Sequence, residues 1–141
     1  CKNGTNLYSA DSSKQVMYQY NYDTTSKTAN ERQMYISLTE GGATPDGSAI
    51  DKSDNIWNAQ WGGGVVTCYN KDGGVVDTIE LPVSRPTSCT FGGKYNDLLF
   101  ITSAIGDLTP SQLEIEPLAG SVFMIKVPVK GATHNSKELS F

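Results

Sequence analysis

The residues with the clearest capacity for chemistry stand at Pro45-Asp46-Gly47, near the start of a glycine-rich segment at residues 44–64. Pro45 has a fixed φ and no N–H, so it suits the start of a strand rather than its middle. Gly47 lets the backbone bend or approach a neighbour closely. We therefore expect Asp46 to be a carboxylate held on a stiff corner, with a short strand following at residues 48–50.

A carboxylate in that position has two possible roles. It could be one oxygen ligand of a divalent cation, which needs several such ligands, and it could take a proton from an attacking water. Alternatively, Asp46 caps a turn and does no chemistry, because Pro-Asp-Gly is a common turn sequence. The spacing alone leaves both interpretations open.

A serine-histidine-aspartate triad is a weaker hypothesis. His134 is the single histidine of the sequence and lies in a polar C-terminal segment. The sequence contains no Gly-x-Ser-x-Gly nucleophile elbow.

Composition limits the classes of partner. The 141 residues are enough for one domain with a sizeable core, and the formal net charge is −4. Without a cluster of Lys and Arg, nucleic acid and anionic membranes are not expected partners. No apolar run approaches the roughly 20 residues of a membrane span, and no signal peptide is recognisable.

The three cysteines, Cys1, Cys68 and Cys89, are too few and too irregularly spaced for a disulfide framework or a cysteine zinc site. We expect two of them to be buried thiols within strands and Cys1 to lie at a frayed end. A reducing, cytoplasmic compartment is the corresponding expectation.

The pattern along the chain is β almost throughout. Alternating runs rich in Tyr, Val and Ile, bounded by Gly, Pro, Asn and Asp, predict short strands. These strands lie at residues 7–10, 15–22, 33–38, 48–50, 56–59, 65–69, 75–81, 88–91, 98–102 and 122–127. Residues 23–30 are predicted to form a loop, and residues 137–141 a last edge strand.

One short helix is predicted between the last two of those central strands. Thr109 is a good N-cap and Pro110 a good first helical residue. The helix is expected to run to about Glu116 and to end before Pro117.

An internal repeat organises the strands. Asn6-Leu7-Tyr8 matches Asn55-Ile56-Trp57 at an offset of 49 residues, and the same offset places Val16 on Val65. A looser third copy begins near Asp97. Repeats of about 40–50 residues with four short strands each are typical of a β-propeller; a β-sandwich is the rival architecture, and the register of the repeat makes it less favourable.

Three ordered blocks resemble one family, that of SMP-30, gluconolactonase and luciferin-regenerating enzyme. The blocks are Pro45-Asp46-Gly47 with residues 50–69, residues 81–93, and residues 117–123. The resemblance covers nearly the whole chain in order. It implies a six-bladed propeller with a divalent cation (Ca²⁺, Zn²⁺, Mg²⁺ or Mn²⁺) at the top of its central channel, and an activity that hydrolyses lactones and related esters.

Carried over residue by residue, the resemblance makes Asp46 the metal ligand of the Pro-Asp-Gly motif and a general base on water. The family's other two protein ligands, a glutamate and an asparagine, match no residue here. The chain is therefore interpreted as the C-terminal part of one propeller domain. It would hold a partial blade at about residues 1–40, a blade at about 44–82 and the last blade at about 85–141.

Two further residues are candidates for contacts with a substrate. Trp61 lies in a glycine-rich turn and could line the mouth of the channel, or serve packing alone. Thr87 follows Pro86 as Asp46 follows Pro45, so Thr87, or Ser88 beside it, is expected to face the channel. Trp57 is predicted to belong to the core.

Half a ring would leave two apolar blade faces open, an area larger than soluble monomers usually expose. The expected partners are therefore a small lactone or ester and either an N-terminal half or a second copy that closes the ring. The functional alternative is a non-catalytic propeller fragment that binds calcium or a partner protein.

Overall fold

The computed structural model describes residues 4–132, which form three antiparallel sheets and one short helix. Cys1, His134 and the predicted edge strand at residues 137–141 lie outside the described residues. Among the described residues, no helix has the length and apolar character needed to cross a membrane.

The first sheet contains three strands in sequence order: β1 (Asn6–Asp11), β2 (Val16–Asp23) and β3 (Thr28–Ser37). A 3₁₀ turn at Ser12–Lys14 joins β1 to β2. The structure corrects the predicted loop at residues 23–30, because β3 begins at Thr28, where it pairs with Asp23 of β2. The loop is only four residues long, because Asp23 and residues 28–30, which were predicted to be loop, belong to the paired strands.

The second and third sheets follow along the chain. The second contains β4 (Thr44–Ile50), β5 (Ile56–Trp61), β6 (Val65–Tyr69) and β7 (Val75–Glu80), side by side in sequence order. The third contains β8 (Pro86–Gly92), β9 (Leu98–Ser103) and β10 (Val122–Lys126), with β9 in the middle.

Helix α1 (Pro110–Ile115) lies between β9 and β10, as predicted. The Thr109 side chain accepts a hydrogen bond from the Gln112 backbone N–H, and the Gln112 side chain accepts one from the Thr109 backbone N–H. This reciprocal capping box satisfies two backbone donors at the start of a helix that is too short to be stable alone.

The predicted repeat is present in the strand register. Leu7 of β1 pairs with Tyr20 of β2, and Ile56 of β5 pairs with Tyr69 of β6. Each residue of the second pair lies 49 positions after its counterpart, as the sequence repeat requires. The first and second sheets are therefore copies of one strand pattern.

The second sheet packs between the other two. Its contact with the third sheet is a core of small and branched side chains around Trp57, which is 2% exposed. Its contact with the first sheet is built from Met17, Ile36, Ile56 and Tyr69. Trp57 thus belongs to the core, as predicted.

A buried carboxylate holds Trp57 and the β4–β5 turn together. Asp51 is completely buried and accepts hydrogen bonds from the backbone N–H groups of Ser53 and Asn55 and from the Asn55 side chain. The Trp57 indole N–H donates to the same carboxylate at 3.1 Å. A buried charge with this many donors is stabilised, whereas loss of its donors would leave it uncompensated.

Strand β4 differs from its prediction. The strand was expected only at residues 48–50, after Pro45 and Gly47, but it runs from Thr44 to Ile50. The pairing register with β5 shifts between Pro45 and Ser48, which is a β-bulge. A bulge tolerates a proline without breaking the strand, so Asp46 lies inside β4 rather than ahead of it.

Gly47 lies where β4 meets β8. A Cβ atom built on Gly47 would stand 2.8 Å from the Cα atom of Ser88 and closer still to the Ser88 side chain. Real Cβ atoms do not approach backbone atoms this closely, so only glycine permits this contact between the second and third sheets.

We expect Gly47→Ala to lower the free energy of unfolding by about 1–3 kcal/mol, because the added methyl group overpacks the contact with Ser88. Urea unfolding followed by tryptophan fluorescence measures the change. Gly106→Ala is the control, since a Cβ there meets nothing within 4 Å; its effect should stay within about 0.5 kcal/mol. Equal effects of the two substitutions would contradict this account of Gly47.

Candidate functional site

The candidate site lies where the edge strands β4 and β8 meet. Pro45 and Pro86 are both fully buried near the starts of these strands. A register shift follows each proline, before Ser48 in β4 and before Ser88 in β8. Asp46 and Thr87 therefore occupy matching bulges on neighbouring strands. That Thr87 faces a central channel stays a prediction.

The Asp46 carboxylate is partly buried and lies beside the backbone N–H of Gly47. Burial raises the pKa of the Asp46 carboxyl above its ordinary value, and the Gly47 N–H offsets part of that increase. A partly desolvated carboxylate whose acceptor positions are not all used by residues 4–132 can bind a cation or accept a proton. The side chain is thus not simply a solvated cap of a turn.

The backbone around Asp46 is fixed from two directions. The Ser12 hydroxyl, in the 3₁₀ turn of the first sheet, donates to the Pro45 carbonyl at 2.8 Å. The Asn58 side-chain NH₂ donates to the Asp46 carbonyl at 2.9 Å and to the Ser48 hydroxyl at 3.0 Å. The first and second sheets therefore both contribute to the position of the bulge.

Trp61 lies at the same end of the second sheet as Asp46, because it pairs with Thr44. The Arg85 guanidinium stacks over the indole ring, with the Arg85 Cζ atom 5.3 Å from the ring centroid. Arg85 also donates to the backbone carbonyls of Gly106 and Asp107. The indole is therefore packed beneath a cation, and its role toward a substrate stays a prediction.

The Thr87 hydroxyl is hydrogen-bonded to the Thr102 hydroxyl at 2.7 Å. Thr87 is only partly buried and lies next to Ser88, the residue that meets Gly47. Thr87 lies on β8 and Asp46 on β4, the two strands that meet at the site. Trp61 instead belongs to β5, which pairs with β4. A contact between Thr87 and a substrate stays a prediction.

The described residues contain no complete set of metal ligands. Within residues 4–132, no group of three or more His, Cys, Asp or Glu side chains could hold a metal ion. Ca²⁺ takes about six to eight oxygen ligands. The chemistry of Asp46 fits one ligand of such a set, and the remaining ligands would have to come from other groups.

The two described cysteines have no catalytic character. Cys68 and Cys89 are buried in β6 and β8, as predicted, and burial raises the pKa of each thiol to about 12. The Cys89 Sγ atom lies 3.2 Å from the Trp57 carbonyl, to which it donates. Thiols in such an environment are protonated at neutral pH and are poor nucleophiles.

Comparison with known proteins identifies the family. The family model for the SMP-30/gluconolactonase/LRE-like region matches residues 2–105. The chain belongs to this family.

Two curated relatives are lactonases. A 6-deoxy-6-sulfogluconolactonase of Pseudomonas putida is 37% identical over 125 residues, and a pentonolactonase of Haloferax volcanii is 31% identical over 129 residues. The alignments cover 88% and 89% of this chain but 43% and 44% of the relatives. The chain thus spans less than half the length of the curated relatives it matches.

A solved structure of a calcium-binding protein, regucalcin from Agrobacterium tumefaciens, superposes with a TM-score of 0.87 at 29% identity. The superposition covers 93% of this chain and 45% of that protein. Together with the three repeated sheets, this likeness confirms the predicted fold: the chain is part of a β-propeller, with about three blades and one short helical insertion.

Sequence reasoning missed three side chains that shape the site. Asn58 interrupts an apolar strand, and a polar residue in a buried strand is a recognisable signal. Asp51 precedes a Ser, Asp and Asn turn, which is typical of side-chain capping of a turn. The stacking of Arg85 on Trp61 has no such signal, because Arg85 lies just before β8, 24 positions after Trp61 of β5.

Asp46→Asn should raise the free energy of unfolding at pH 7, because it removes the cost of ionising a partly buried carboxyl. The folded-state pKa is raised above the unfolded value, so ionisation disfavours the folded protein as pH rises. Below about pH 3 the carboxyl is neutral in both states, and the gain should disappear.

Chemical unfolding at several pH values measures this difference. Asp72→Asn, at an aspartate whose side chain is 72% exposed beside Lys71, is the matched control and should show no such gain. A gain from Asp46→Asn that stayed constant down to pH 3 would refute desolvation of Asp46 as its cause.

Proposed function

We propose that this chain is the C-terminal part of a metal-dependent lactone hydrolase, to which it contributes Asp46 as one metal ligand. The observation that carries the proposal is the partly buried Asp46 carboxylate, held on a bulge where two blades meet. The relatives named as lactonases support the same substrate class.

In the proposed mechanism, Asp46 has two tasks. A divalent cation, Ca²⁺ or else Zn²⁺, Mg²⁺ or Mn²⁺, would polarise the lactone carbonyl when bound. Asp46 would supply one oxygen to that cation and accept the proton of the attacking water at a carboxylate oxygen. The raised pKa of the Asp46 carboxyl brings its basicity closer to what proton transfer at neutral pH requires.

Other residues would shape the space around the substrate. We assign Trp61 and Thr87 to substrate contact, since both lie beside the meeting of β4 and β8. The Trp61 ring would offer an apolar surface and the Thr87 hydroxyl a hydrogen-bonding group. Arg85 would hold Trp61 and the loop at residues 104–109 together at this end of the sheets.

We further propose that the three sheets complete a ring with additional polypeptide. Each outer sheet buries one face against the second sheet and leaves apolar side chains exposed: Leu7 (45%), Met34 (66%), Val122 (65%) and Met124 (61%). In addition, among the described strands β1 pairs only with β2, whereas its repeat equivalent β5 pairs with two neighbours. An N-terminal segment or a second copy of the chain would cover these surfaces.

The chain would then hold a partial blade at about residues 1–40, a blade at about 44–82 and the last blade at about 85–141. A second candidate function is a non-catalytic propeller that binds calcium or a partner protein. The structural likeness to a calcium-binding protein favours it, as does the presence of a single candidate ligand among the described residues.

Hydrolysis of gluconolactone and pentonolactones by the ring-completed protein should depend on added Mn²⁺, Zn²⁺, Mg²⁺ or Ca²⁺ and should stop when a chelator is added. Asp46→Ala should lower kcat by about 100-fold or more, since it removes both a ligand and a base. A pH-stat assay measures turnover, and circular dichroism confirms that the variant is folded.

Asp72→Ala removes a solvent-exposed carboxylate at the β6–β7 hairpin and should leave turnover unchanged. Metal binding without any turnover in the ring-completed wild type would instead support the non-catalytic propeller. Turnover that survives both the chelator and Asp46→Ala would exclude Asp46 as the ligand and base.

Gel filtration with light scattering should show the 15.2 kDa chain in a larger assembly or in aggregates when it is isolated, because its open faces are apolar. A stable monomer that does not aggregate would contradict the proposal that the ring needs completion.

A further inference from the structure

Asn58 is the least expected residue of the second sheet. It is completely buried in the middle of β5, between Trp57 and Ala59, which are also buried. A carboxamide in that position must lose its hydration, which costs free energy unless hydrogen bonds replace it. Packing alone would be satisfied by leucine, whose side chain has the same branched outline.

Hydrogen bonds replace the lost hydration of only part of the Asn58 side-chain amide. Its NH₂ group donates to the Asp46 carbonyl at 2.9 Å and to the Ser48 hydroxyl at 3.0 Å. Its Oδ1 atom is buried and has no hydrogen-bond partner among the described residues. An unpaired buried acceptor is unfavourable, so the benefit of Asn58 must come from what its NH₂ group holds.

The two acceptors lie on either side of Gly47. The register shift places Asp46 and Gly47 opposite a single residue, Ala59, so regular strand pairing is interrupted here. The Asn58 NH₂ group therefore bridges the bulge at the point where the ladder no longer sets the backbone orientation.

The hydrogen bond from Asn58 to the Asp46 carbonyl is connected to the Asp46 side chain through one peptide group. The carbonyl of Asp46 and the N–H of Gly47 belong to the same planar unit. Asn58 holds the carbonyl oxygen of that unit, and the Gly47 N–H of the same unit lies beside the Asp46 carboxylate and favours its ionised form. Because the unit is rigid, restraining its oxygen restrains the N–H beside the carboxylate.

We propose that Asn58 is a positioning residue that aims the Asp46 carboxylate by holding the peptide plane between Asp46 and Gly47. The effect of this positioning on catalysis rests on the proposed role of Asp46 in the lactonase site. The structural effect on the peptide plane does not, and it can be measured without turnover.

The first experiment compares Asn58→Leu with Ser48→Ala in the ring-completed protein. Asn58→Leu removes the bond to Asp46, whereas Ser48→Ala removes only the other acceptor of the same NH₂ group. Amide hydrogen exchange by NMR should show Gly47 exchanging about tenfold faster in Asn58→Leu and unchanged in Ser48→Ala. The Asp46 carboxyl ¹³C resonance should shift in Asn58→Leu alone.

Thermal unfolding separates positioning from a merely structural role. Asn58→Leu should unfold at the same or a higher temperature than the wild type, because the unpaired Oδ1 atom is gone. A less stable variant whose Gly47 exchange and Asp46 resonance are unchanged would overturn the proposal. If Asn58→Leu fails to fold, Asn58→Ser, which is too short to reach the Asp46 carbonyl, is judged by the same two NMR readouts.

The second experiment measures lactone turnover in the ring-completed protein. Asn58→Leu should lower kcat about tenfold with KM within about twofold, since a misaligned carboxylate affects the transition state more than substrate binding. If Asn58→Leu alters the Gly47 amide but leaves kcat unchanged, the proposal that Asn58 affects catalysis by positioning Asp46 is overturned. A wild type without turnover would refute the lactonase proposal, while the NMR comparison would still decide whether Asn58 holds the peptide plane.

Discussion

The close contact between β4 and β8 at Gly47 and Ser88 is the constraint on which the rest of the site depends. Two backbones can approach this closely only where one residue has no side chain. The contact joins the second and third sheets at the bulges that carry Asp46 and Thr87. The site is therefore a property of two blades together, and neither sheet alone would hold the carboxylate in its observed surroundings.

Buried polar groups set the local geometry on both sides of this contact. Asp51 holds the β4–β5 turn and Trp57 through four donors, and Asn58 bridges the bulge between Asp46 and Ser48. Both side chains are completely buried, Asn58 within β5 and Asp51 directly after β4. Such groups favour one arrangement of the strands over others, because any slip in register would leave them without partners.

The second sheet also shows how a propeller fragment is stabilised. It is covered on both faces, by the first sheet around Met17 and Ile36 and by the third around Leu99 and Ile101. The outer sheets are each covered on one face. Apolar side chains such as Met34 and Val122 are exposed on these outer sheets.

The sequence alone was enough to predict the repeated strand pairs and the short helix. The offset of 49 residues correctly predicted equivalent strand pairs, since repeats with the same pattern of apolar residues adopt the same register. Local capping chemistry likewise predicted helix α1. The bulge within β4, the contact of Gly47 with Ser88, the stacking of Arg85 on Trp61 and the bond from Asn58 to Asp46 were decided only by the tertiary structure. These features join residues that are distant in sequence or paired out of register, and periodicity and turn propensity carry no information about which backbones will meet.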